Sequence, residues 1–413
     1  MAKFINSERT ETGGVLSSYQ LLTLYFPASV LALGYSIATP AIPVFAKSFD
    51  TGFGVASLVI VVHALGGLVA AVPTGFLVDR LGRRPMLLAG PILMGASSCL
   101  TAFARSFPEL LLYRFIGGAA MEMWRQARLA MIADVSKTRE RGRQMSGMMG
   151  TEGAAKLTGP ALGGLLAAWS IRMPFLVHGA LALLAITPSF FLVRESAPAG
   201  GTKAKEEERL DTRAMLAMML DARYRGFFAT QLFASMTRSV LWGGTLLLYV
   251  TYVYNAGPQL LGGLATASGI IAIPITLSCG YIMDRFGRKT TMVPGFVFIA
   301  SGLLFLASGA QWHWSLASFI AGFFWIHAGQ AVTAGSMQVL GSDMAPAGAR
   351  GRFFGFWRLM GEIGGLAGPA VFALVSEQIA YSAAFTLFGL CSLMTAALLA
   401  FSVKETVGRG KLQ

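Results

Sequence analysis

The sequence contains few charged side chains for its length of 413 residues. Asp, Glu, Lys and Arg together make up 13% of it, whereas 54% of the residues are hydrophobic and the mean hydropathy is +0.61. A soluble globule of this size needs a larger charged fraction to cover its surface. The composition therefore excludes a soluble fold and predicts a chain that crosses the lipid bilayer many times.

Cysteine and histidine are scarce as well. Each of the three cysteines, Cys99, Cys279 and Cys391, lies inside an apolar segment, so we expect reduced thiols and no disulfide framework. A membrane enzyme needs a cluster of metal ligands or a nucleophile with a base, and the four histidines are widely scattered. The sequence also lacks the Gly-x-x-x-x-Gly-Lys-Ser/Thr loop that binds nucleotide phosphates. We therefore predict no enzyme activity, no cofactor and no metal site.

The net charge of +13 does not indicate a nucleic-acid partner. The Lys and Arg residues fall in short clusters between apolar segments, where they set the topology of a membrane protein. Most of them lie in alternate connections, and only Lys47, Arg105 and Arg172 lie in the connections on the other side. This asymmetry predicts a multi-pass protein of the plasma membrane, here the bacterial inner membrane, with cytoplasmic N- and C-termini. No cleaved signal peptide is expected, because residues 1–20 lack a short apolar segment followed by a cleavage site.

Apolar segments long enough to cross the bilayer, at about 20 residues each, occur twelve times. They do not alternate apolar and polar residues, so they predict helices rather than the strands of a barrel. The predicted fold class is an all-α membrane protein with twelve transmembrane helices in two pseudo-symmetric six-helix bundles. The approximate limits of the spans are 19–43, 54–78, 85–104, 108–134, 144–168, 173–193, 226–252, 259–283, 290–309, 313–341, 353–376 and 380–402.

The two halves of the chain repeat each other. The pair Gly159-Pro160 in the fifth span recurs as Gly368-Pro369 in the eleventh. We predict an N-terminal six-helix bundle over 1–194, a solvated cytoplasmic linker over 195–225 and a C-terminal six-helix bundle over 226–413. Such a duplication is typical of transporters whose substrate site lies between two bundles that rock against each other.

A charged motif follows the second span of each half. The first copy is Gly75-Phe76-Leu77-Val78-Asp79-Arg80-Leu81-Gly82-Arg83-Arg84, and the second is Gly280-Tyr281-Ile282-Met283-Asp284-Arg285-Phe286-Gly287-Arg288-Lys289. Both resemble the signature loop of the major facilitator superfamily, and the resemblance extends over nearly the whole chain. It implies alternating access and a gating role for the loops, through Gly75, Asp79, Arg80, Gly82, Arg83 and Arg84 and through Gly280, Asp284, Arg285, Gly287, Arg288 and Lys289. Charge clusters that only fix topology are the alternative interpretation.

The fourth predicted span carries the densest set of intramembrane charges. On a helix, Arg114, Glu122, Arg125 and Arg128 fall within an arc of about 120°, and such a face must line a cavity or pair with another helix. The stretch around Arg114 resembles the span-four motif of drug/proton antiporters, whose arginine is implicated in proton coupling. We predict Glu122 as the proton carrier, with Arg114 and Glu152 as further coupling residues. A permanent ion pair between Glu122 and Arg125 is the alternative.

The fifth predicted span contains the stretch Gly159-Pro160-Ala161-Leu162-Gly163-Gly164. It resembles the core of the antiporter motif found in exporters of the superfamily. Gly159, Pro160, Gly163 and Gly164 are the predicted helix-bending residues, because proline removes a backbone donor and glycine lets a neighbouring helix pack closely. The motif favours export, although helix bending alone also accounts for it.

Further polar and aromatic residues are predicted to line a substrate cavity between the bundles. They are Arg125, Arg128, Lys156, Arg238, Trp242, Trp325, His327 and Glu362. Ordinary packing is the alternative for the histidine and the two tryptophans. At this depth positive side chains outnumber negative ones, which predicts a small-molecule substrate with at least one negative charge.

The sequence thus predicts a proton-coupled secondary active transporter of a small organic solute. Efflux by H⁺ antiport is the first choice, and uptake of an organic anion by symport is the alternative. A receptor built on the same fold would be expected to lose the intramembrane charges, which are plentiful here. The carboxylates suit either H⁺ or Na⁺ as the coupling ion. A monomer is expected, because this fold can complete its cycle as a single chain.

Overall fold

The computed structural model describes residues 21–135, 141–193, 221, 224–242, 244–346, 350–403 and 405, and every regular element among them is a helix. A π-helical turn, Leu21–Tyr25, precedes the α-helices of the N-terminal half. These are α1 Phe26–Ala38, α2 Ala41–Lys47, α3 Phe53–Leu81, α4 Arg83–Ala102, α5 Phe107–Val135, α6 Arg141–Trp169 and α7 Met173–Leu192.

The C-terminal half begins at α8, and like the N-terminal half its first span is divided into two helices. Its helices are α8 Arg225–Trp242, α9 Thr245–Val253, α10 Pro258–Phe286, α11 Lys289–Gln311, α12 Leu316–Thr333, α13 Ser336–Met344, α14 Arg350–Gln378 and α15 Tyr381–Phe401. The predicted linker lies almost entirely outside the described residues.

The helices coincide with the twelve predicted spans, and nine segments of the described residues are long and apolar enough to cross a membrane. The other three predicted spans are α5, α6 and the pair α8 and α9. Charged residues within α5 and α6 lower the hydropathy of those two helices, although each is 29 residues long. A helix of that length measures about 43 Å, which exceeds the thickness of the hydrocarbon core.

Three spans are divided into two helices. The first span breaks at Pro40, between α1 and α2, because proline has no N–H to donate to the preceding turn. The seventh and tenth spans break beside Gly244 and Gly335, whose φ angles of +91° and +74° are left-handed. Glycine adopts that backbone conformation without the steric penalty of a Cβ atom. The divided spans leave backbone groups free at membrane depth, which is tolerated where they are buried in protein or line a cavity.

The two halves are joined at one end of the molecule, which we call the closed end. Lys47 Nζ donates to the carbonyl oxygen of Thr251 at 2.8 Å and to Asn255 Oδ1 at 2.6 Å. The hydroxyl of Tyr252 donates to the carbonyl oxygen of Thr51 at 2.9 Å. These hydrogen bonds connect the chain after α2 with the end of α9.

Aromatic packing reinforces the closed end. The ring of Phe53 contacts those of Tyr252, Phe372 and Tyr381, with ring centroids 5.0 to 6.2 Å apart. Phe53 thereby joins a hydrophobic core that continues through the C-terminal half. A second apolar cluster, which includes Trp124, lies within the N-terminal half alone.

Helices α6 and α10 bring the halves to backbone distance between the closed end and the middle. A Cβ atom at Gly262 would collide with the carbonyl oxygen of Pro160, and one at Gly164 would lie 2.6 Å from that of Pro258. The backbone N–H of Ala161, directly after the proline, donates to Thr266 Oγ1 at 3.0 Å. Glycine is therefore required here for the approach of two helix backbones.

The opposite end, where α3 and α10 finish and both signature loops lie, is the open end. Hydrogen bonds and ion pairs that join described residues of the two halves occur only at the closed end and near the middle. A Cβ atom at Gly280 would meet no neighbouring atom within 4 Å, and Val72 and Leu277 are exposed. The space between the halves therefore opens toward the signature loops.

Candidate functional site

A cluster of charged side chains lies where α5 and α14 face each other at the inner end of this space. We call Glu122, Arg125, Arg358 and Glu362 the central charge cluster. The carboxylate of Glu122 accepts hydrogen bonds from Arg125 Nε at 2.7 Å, from Gln126 Nε2 at 2.6 Å and from Arg358 Nη2 at 3.0 Å. Arg358 and Glu362 belong to the other half, so two ion pairs cross between the halves, Glu122 with Arg358 and Arg125 with Glu362.

The two carboxylates of the central charge cluster differ in exposure. The side chain of Glu122 is 5% exposed, whereas that of Glu362 is 43% exposed. Glu362 Oε1 lies 3.4 Å from Arg125 Nη2 and 3.7 Å from Arg358 Nε. Both arginines therefore lie between the two carboxylates, one of which is buried and the other open to the space between the halves.

A second charged group lies within the N-terminal half. Arg128 forms an ion pair with Glu152, and its guanidinium stacks on the ring of Trp124 at 4.2 Å from the centroid. Lys156 Nζ lies 3.5 Å from Glu152 Oε2. Arg128 and Glu152 are nearly buried, whereas the Lys156 side chain is 54% exposed. Glu152 is thus held between two cations of its own half.

The exposed part of the site is basic. Arg125, Lys156, Arg238 and Arg358 are partly or fully exposed, and Glu362 is the one carboxylate of the site with comparable exposure among the described residues. Arg238 on α8 has Glu362 as its electrostatic neighbour. The excess of positive charge that the sequence predicts at this depth is therefore found on accessible side chains.

The remaining predicted cavity residues separate into two places. The rings of Trp242 and His327 lie 6.5 Å apart, and His327 Nδ1 donates to the carbonyl oxygen of Phe323 at 2.8 Å. Trp325 packs on Phe298 and Phe305 of α11, with ring centroids 5.5 and 5.8 Å apart. Trp325 and His327 are two positions apart, which corresponds to a rotation of about 200° around the helix axis, so they lie on opposite faces of the helix. We therefore leave Trp325 out of the proposed cavity.

Arg114 does not belong to the central charge cluster. It precedes Glu122 by eight residues on α5, which corresponds to about 12 Å along the helix. Its guanidinium bonds to Tyr35 on α1 and lines a small cavity inside the N-terminal half. The helical face shared by Arg114 and Glu122 therefore lies in two separate environments, a cavity of the N-terminal half and the central charge cluster.

The contacts of the first signature loop with described residues include one to α7 of its own half. Gly82 has φ +98°, a conformation that favours glycine, and it ends α3. Arg84 Nη2 donates to the carbonyl oxygen of Phe190 on α7 at 3.0 Å, and Arg83 is buried. Asp79 and Arg80 are exposed. Gly75 is in ordinary contact with Gln126, where a Cβ atom would lie 3.5 Å from Oε1.

The second signature loop is bound to its half by acids that sequence reasoning did not assign to it. Arg288 pairs with Asp284 of the loop and, through Nε at 3.2 Å, with Asp343 on α13. Burial lowers the pKa of Arg288, but its hydrogen bonds to both carboxylates raise it by more, so it lies above the ordinary value. The carboxylate of Glu405 accepts from the backbone N–H groups of Arg288 and Lys289, both at 2.9 Å.

Two further residues of that loop have local roles. Gly287 has φ +109°, which matches the conformation of the corresponding glycine in the first loop. Arg285 Nη1 donates to the hydroxyl of Tyr281 at 2.9 Å. Glu405 completes the N-terminus of α11, where free N–H groups favour a carboxylate. Its position more than 100 residues after the loop gives no local sequence signal.

Known proteins resemble this chain in both sequence and fold. The family model described as Major Facilitator Superfamily matches residues 24–239 and 227–413. Quinolone resistance protein NorA of Staphylococcus aureus (strain MRSA252) is 27% identical over 296 residues, which are 69% of this chain and 71% of NorA. Multidrug resistance protein 2 of Bacillus subtilis (strain 168) is 24% identical over 267 residues, which are 63% of this chain and 66% of that protein. The crystal structure of a D-xylose-proton symporter superposes with a TM-score of 0.73 at 18% identity and covers 96% of this chain and 100% of the symporter.

Proposed function

Because the chain belongs to the Major Facilitator Superfamily, and is a membrane transporter rather than an enzyme, we propose that it exports a small organic solute in exchange for protons. The relatives named for quinolone resistance and multidrug resistance support export. The stretches around Arg114 and Gly159, which resemble antiporter motifs, point in the same direction. Proton-coupled uptake of an organic anion is the alternative that the transport direction tests.

The observation that carries the proposal is the ion pair between Glu122 and Arg358 across the two halves. A proton and the Arg358 guanidinium compete for the same carboxylate oxygen. Protonation of Glu122 removes its negative charge and leaves Arg358 with Glu362, 3.7 Å away on the same helix, as its remaining ion-pair partner in the cluster. Uptake of a proton thereby weakens a bond between the halves, which couples protonation to their relative movement.

The role of Glu122 as proton carrier differs from that of the other predicted coupling residues. Glu152 is paired with Arg128 and Lys156, all on helices of one half, so its protonation breaks no bond between the halves. Glu362 is the accessible carboxylate and is positioned to pass a proton between the open space and the buried Glu122. We propose Glu122 and Glu362 as the coupling pair.

The exposed basic side chains support an anionic substrate. Arg125, Lys156, Arg238 and Arg358 present positive charge to the space between the halves, and Trp242 is exposed nearby. A carboxylate or another anionic group of the substrate would pair with these cations, while Trp242 offers an apolar surface. A lipophilic cation would meet unfavourable charge in the same space.

The proposed orientation follows from the distribution of Lys and Arg. With both termini in the cytoplasm, the signature loops lie on the cytoplasmic side and the open end faces inward. The structure is then the inward-facing state of an exporter, in which a cytoplasmic substrate reaches the site and the closed end blocks the outer side. We propose that a monomer completes this cycle.

Proteoliposomes with a trapped pH-sensitive dye test the proposal. Wild-type protein, Glu122→Gln and the control Glu109→Gln receive organic anions and lipophilic cations in turn, and binding is measured separately by radioligand. Glu109 lies on the same helix near the closed end, where it accepts from the backbone of Arg105. In the wild type and in Glu109→Gln, we expect an anionic substrate to move protons in the direction opposite to its own, so that protons leave the vesicles as the anion enters. Glu122→Gln should bind the anion without moving protons.

A different experimental result would contradict each part of the proposal. Proton movement with cations alone overturns the anionic substrate. Movement of protons and substrate in the same direction favours symport. Normal proton coupling in Glu122→Gln shows that its ion pairs are structural.

A further inference from the structure

A small polar cavity lies inside the N-terminal half, apart from the central charge cluster. It lies among α1, α3, α4, α5 and α7 and is lined by Tyr35, His63, Ser97, Arg114 and His178, among others. Its volume of about 20 Å³ holds one water-sized particle. An organic solute does not fit, so any occupant is a water molecule or a monatomic ion.

Arg114 is the charged residue of this cavity, and it has no counter-charge. Neither Asp nor Glu lines the cavity, and among the described residues Arg114 forms no ion pair. Its guanidinium bonds to Tyr35, while its Nε is buried without a partner. A buried charge that lacks a partner is strongly unfavourable, whether the surroundings are protein or lipid.

The two histidines supply no negative charge either. The carbonyl oxygen of Arg114 only accepts, so His63 Nδ1, at 3.1 Å, donates to it. The hydroxyl of Ser98 donates to the carbonyl oxygen of Phe175, so it accepts from His178 Nδ1 at 3.1 Å. Each ring keeps its proton on Nδ1 and is therefore neutral or, with a second proton on Nε2, positive.

We propose that this cavity binds a halide ion, such as chloride, as the counter-charge of Arg114. The ion fills the space for one particle beside the Arg114 guanidinium. It neutralises a charge that no protein group of the cavity balances. The site lies within one half, so its occupation is independent of the proposed proton exchange at Glu122.

Halide binding is measured on the purified full chain at constant ionic strength, with gluconate replaced stepwise by chloride or bromide. The readout is the unfolding temperature, because a ligand that binds only the folded state raises the free energy of unfolding by RT ln(1 + [L]/Kd). We expect the unfolding temperature of the wild type to rise with the logarithm of the halide concentration once that concentration exceeds Kd. Arg114→Gln should lose the rise.

Arg125→Gln is the matched control, because it removes an arginine from the same helix outside the cavity and should retain the halide response. In gluconate alone, Arg114→Gln should be at least as stable as the wild type, since it removes a buried charge without a partner. An equal response in Arg114→Gln and the wild type, or no response in the wild type, overturns the halide site.

A second measurement needs no variant. Crystals grown in bromide should show an anomalous peak in the cavity beside the Arg114 guanidinium, and a cavity without such a peak at saturating bromide also overturns the proposal.

Discussion

The bond between Glu122 and Arg358 should make a measurable contribution to the conformation of the transporter. It joins helices α5 and α14 of opposite halves, so its geometry belongs to the state that is open at the signature loops. Substitution of either partner, Glu122→Gln or Arg358→Gln, removes the pair. Because the halves move relative to each other, we expect both substitutions to lower the population of this state.

The magnitude follows from the exposure of the two partners. Glu122 is 5% exposed, but Arg358 is 43% exposed, so solvent screens part of the attraction. Surface ion pairs contribute about 0.2–1 kcal/mol, and loss of one partner of a buried pair costs about 3–5 kcal/mol. A pair with one buried and one half-exposed partner should lie between these limits. We expect a coupling of about 1–2 kcal/mol, a factor of about 5 to 30 in the ratio of the two states.

The ratio is accessible to distance measurements between spin labels. Phe76 on α3 and Tyr281 on α10 are exposed at the open end and belong to different halves. Labels at Phe76→Cys and Tyr281→Cys, in a chain whose native cysteines are replaced by serine, report whether that end is open. The distance distribution is recorded for the wild type, both single variants and the double variant, which completes a double-mutant cycle.

The ion pair between Arg128 and Glu152 provides a control cycle, because both partners belong to the N-terminal half. Its variants should leave the distance distribution unchanged. If the effects of Glu122→Gln and Arg358→Gln add within about 0.5 kcal/mol, the pair is not a conformational bond and the proposed competition with a proton is refuted.

Three further outcomes are expected. Gly163→Ala places a methyl group against the carbonyl of Ile37 and should destabilise the protein by about 1–3 kcal/mol. Gly150→Ala, at a mid-helix position with open space, should leave the stability unchanged or raise it by up to about 1 kcal/mol. Lys47→Met removes two hydrogen bonds between the halves at the closed end and should increase labelling of that end from the outer side of sealed vesicles several-fold; unchanged labelling would show that aromatic packing alone holds it. Lys156→Met removes an exposed positive charge and should raise the KM for an anionic substrate about three- to tenfold with little change for a neutral one; an equal change for both would remove Lys156 from the anion site.

The twelve spans could be predicted from hydropathy, because the bilayer requires long apolar helices whatever their partners. The breaks within spans could not. Gly66-Gly67 and Gly163-Gly164 continue as helix, whereas Gly244 and Gly335 turn left-handed and end one. Glycine permits that conformation without requiring it, and the choice depends on the helices packed around each position.

Contacts between residues that are close in sequence could be predicted. The spacing of Glu122 and Arg125 indicates an ion pair on one helix, and the structure contains that pair. The cross-half partner Arg358 follows 236 residues later, and Glu405 follows the second signature loop by more than 100. Those contacts depend on how the bundles dock and on where the chain returns after α15, and neither has a periodic signal in the sequence.

The position of Arg114 shows that the side of a helix on which a residue lies can be predicted while its contacts cannot. Periodicity places Arg114 and Glu122 on one side of α5, but a helix of about 43 Å passes through more than one environment. Near the closed end that face meets Tyr35 and the histidines of its own half, and near the middle it meets Arg358 of the other. The contacts of Arg114 therefore stay the same when the halves move, whereas those of Glu122 change. Occupation of the cavity beside Arg114 should therefore be independent of the conformational state and should not shift the balance between states, whereas protonation of Glu122 should shift it.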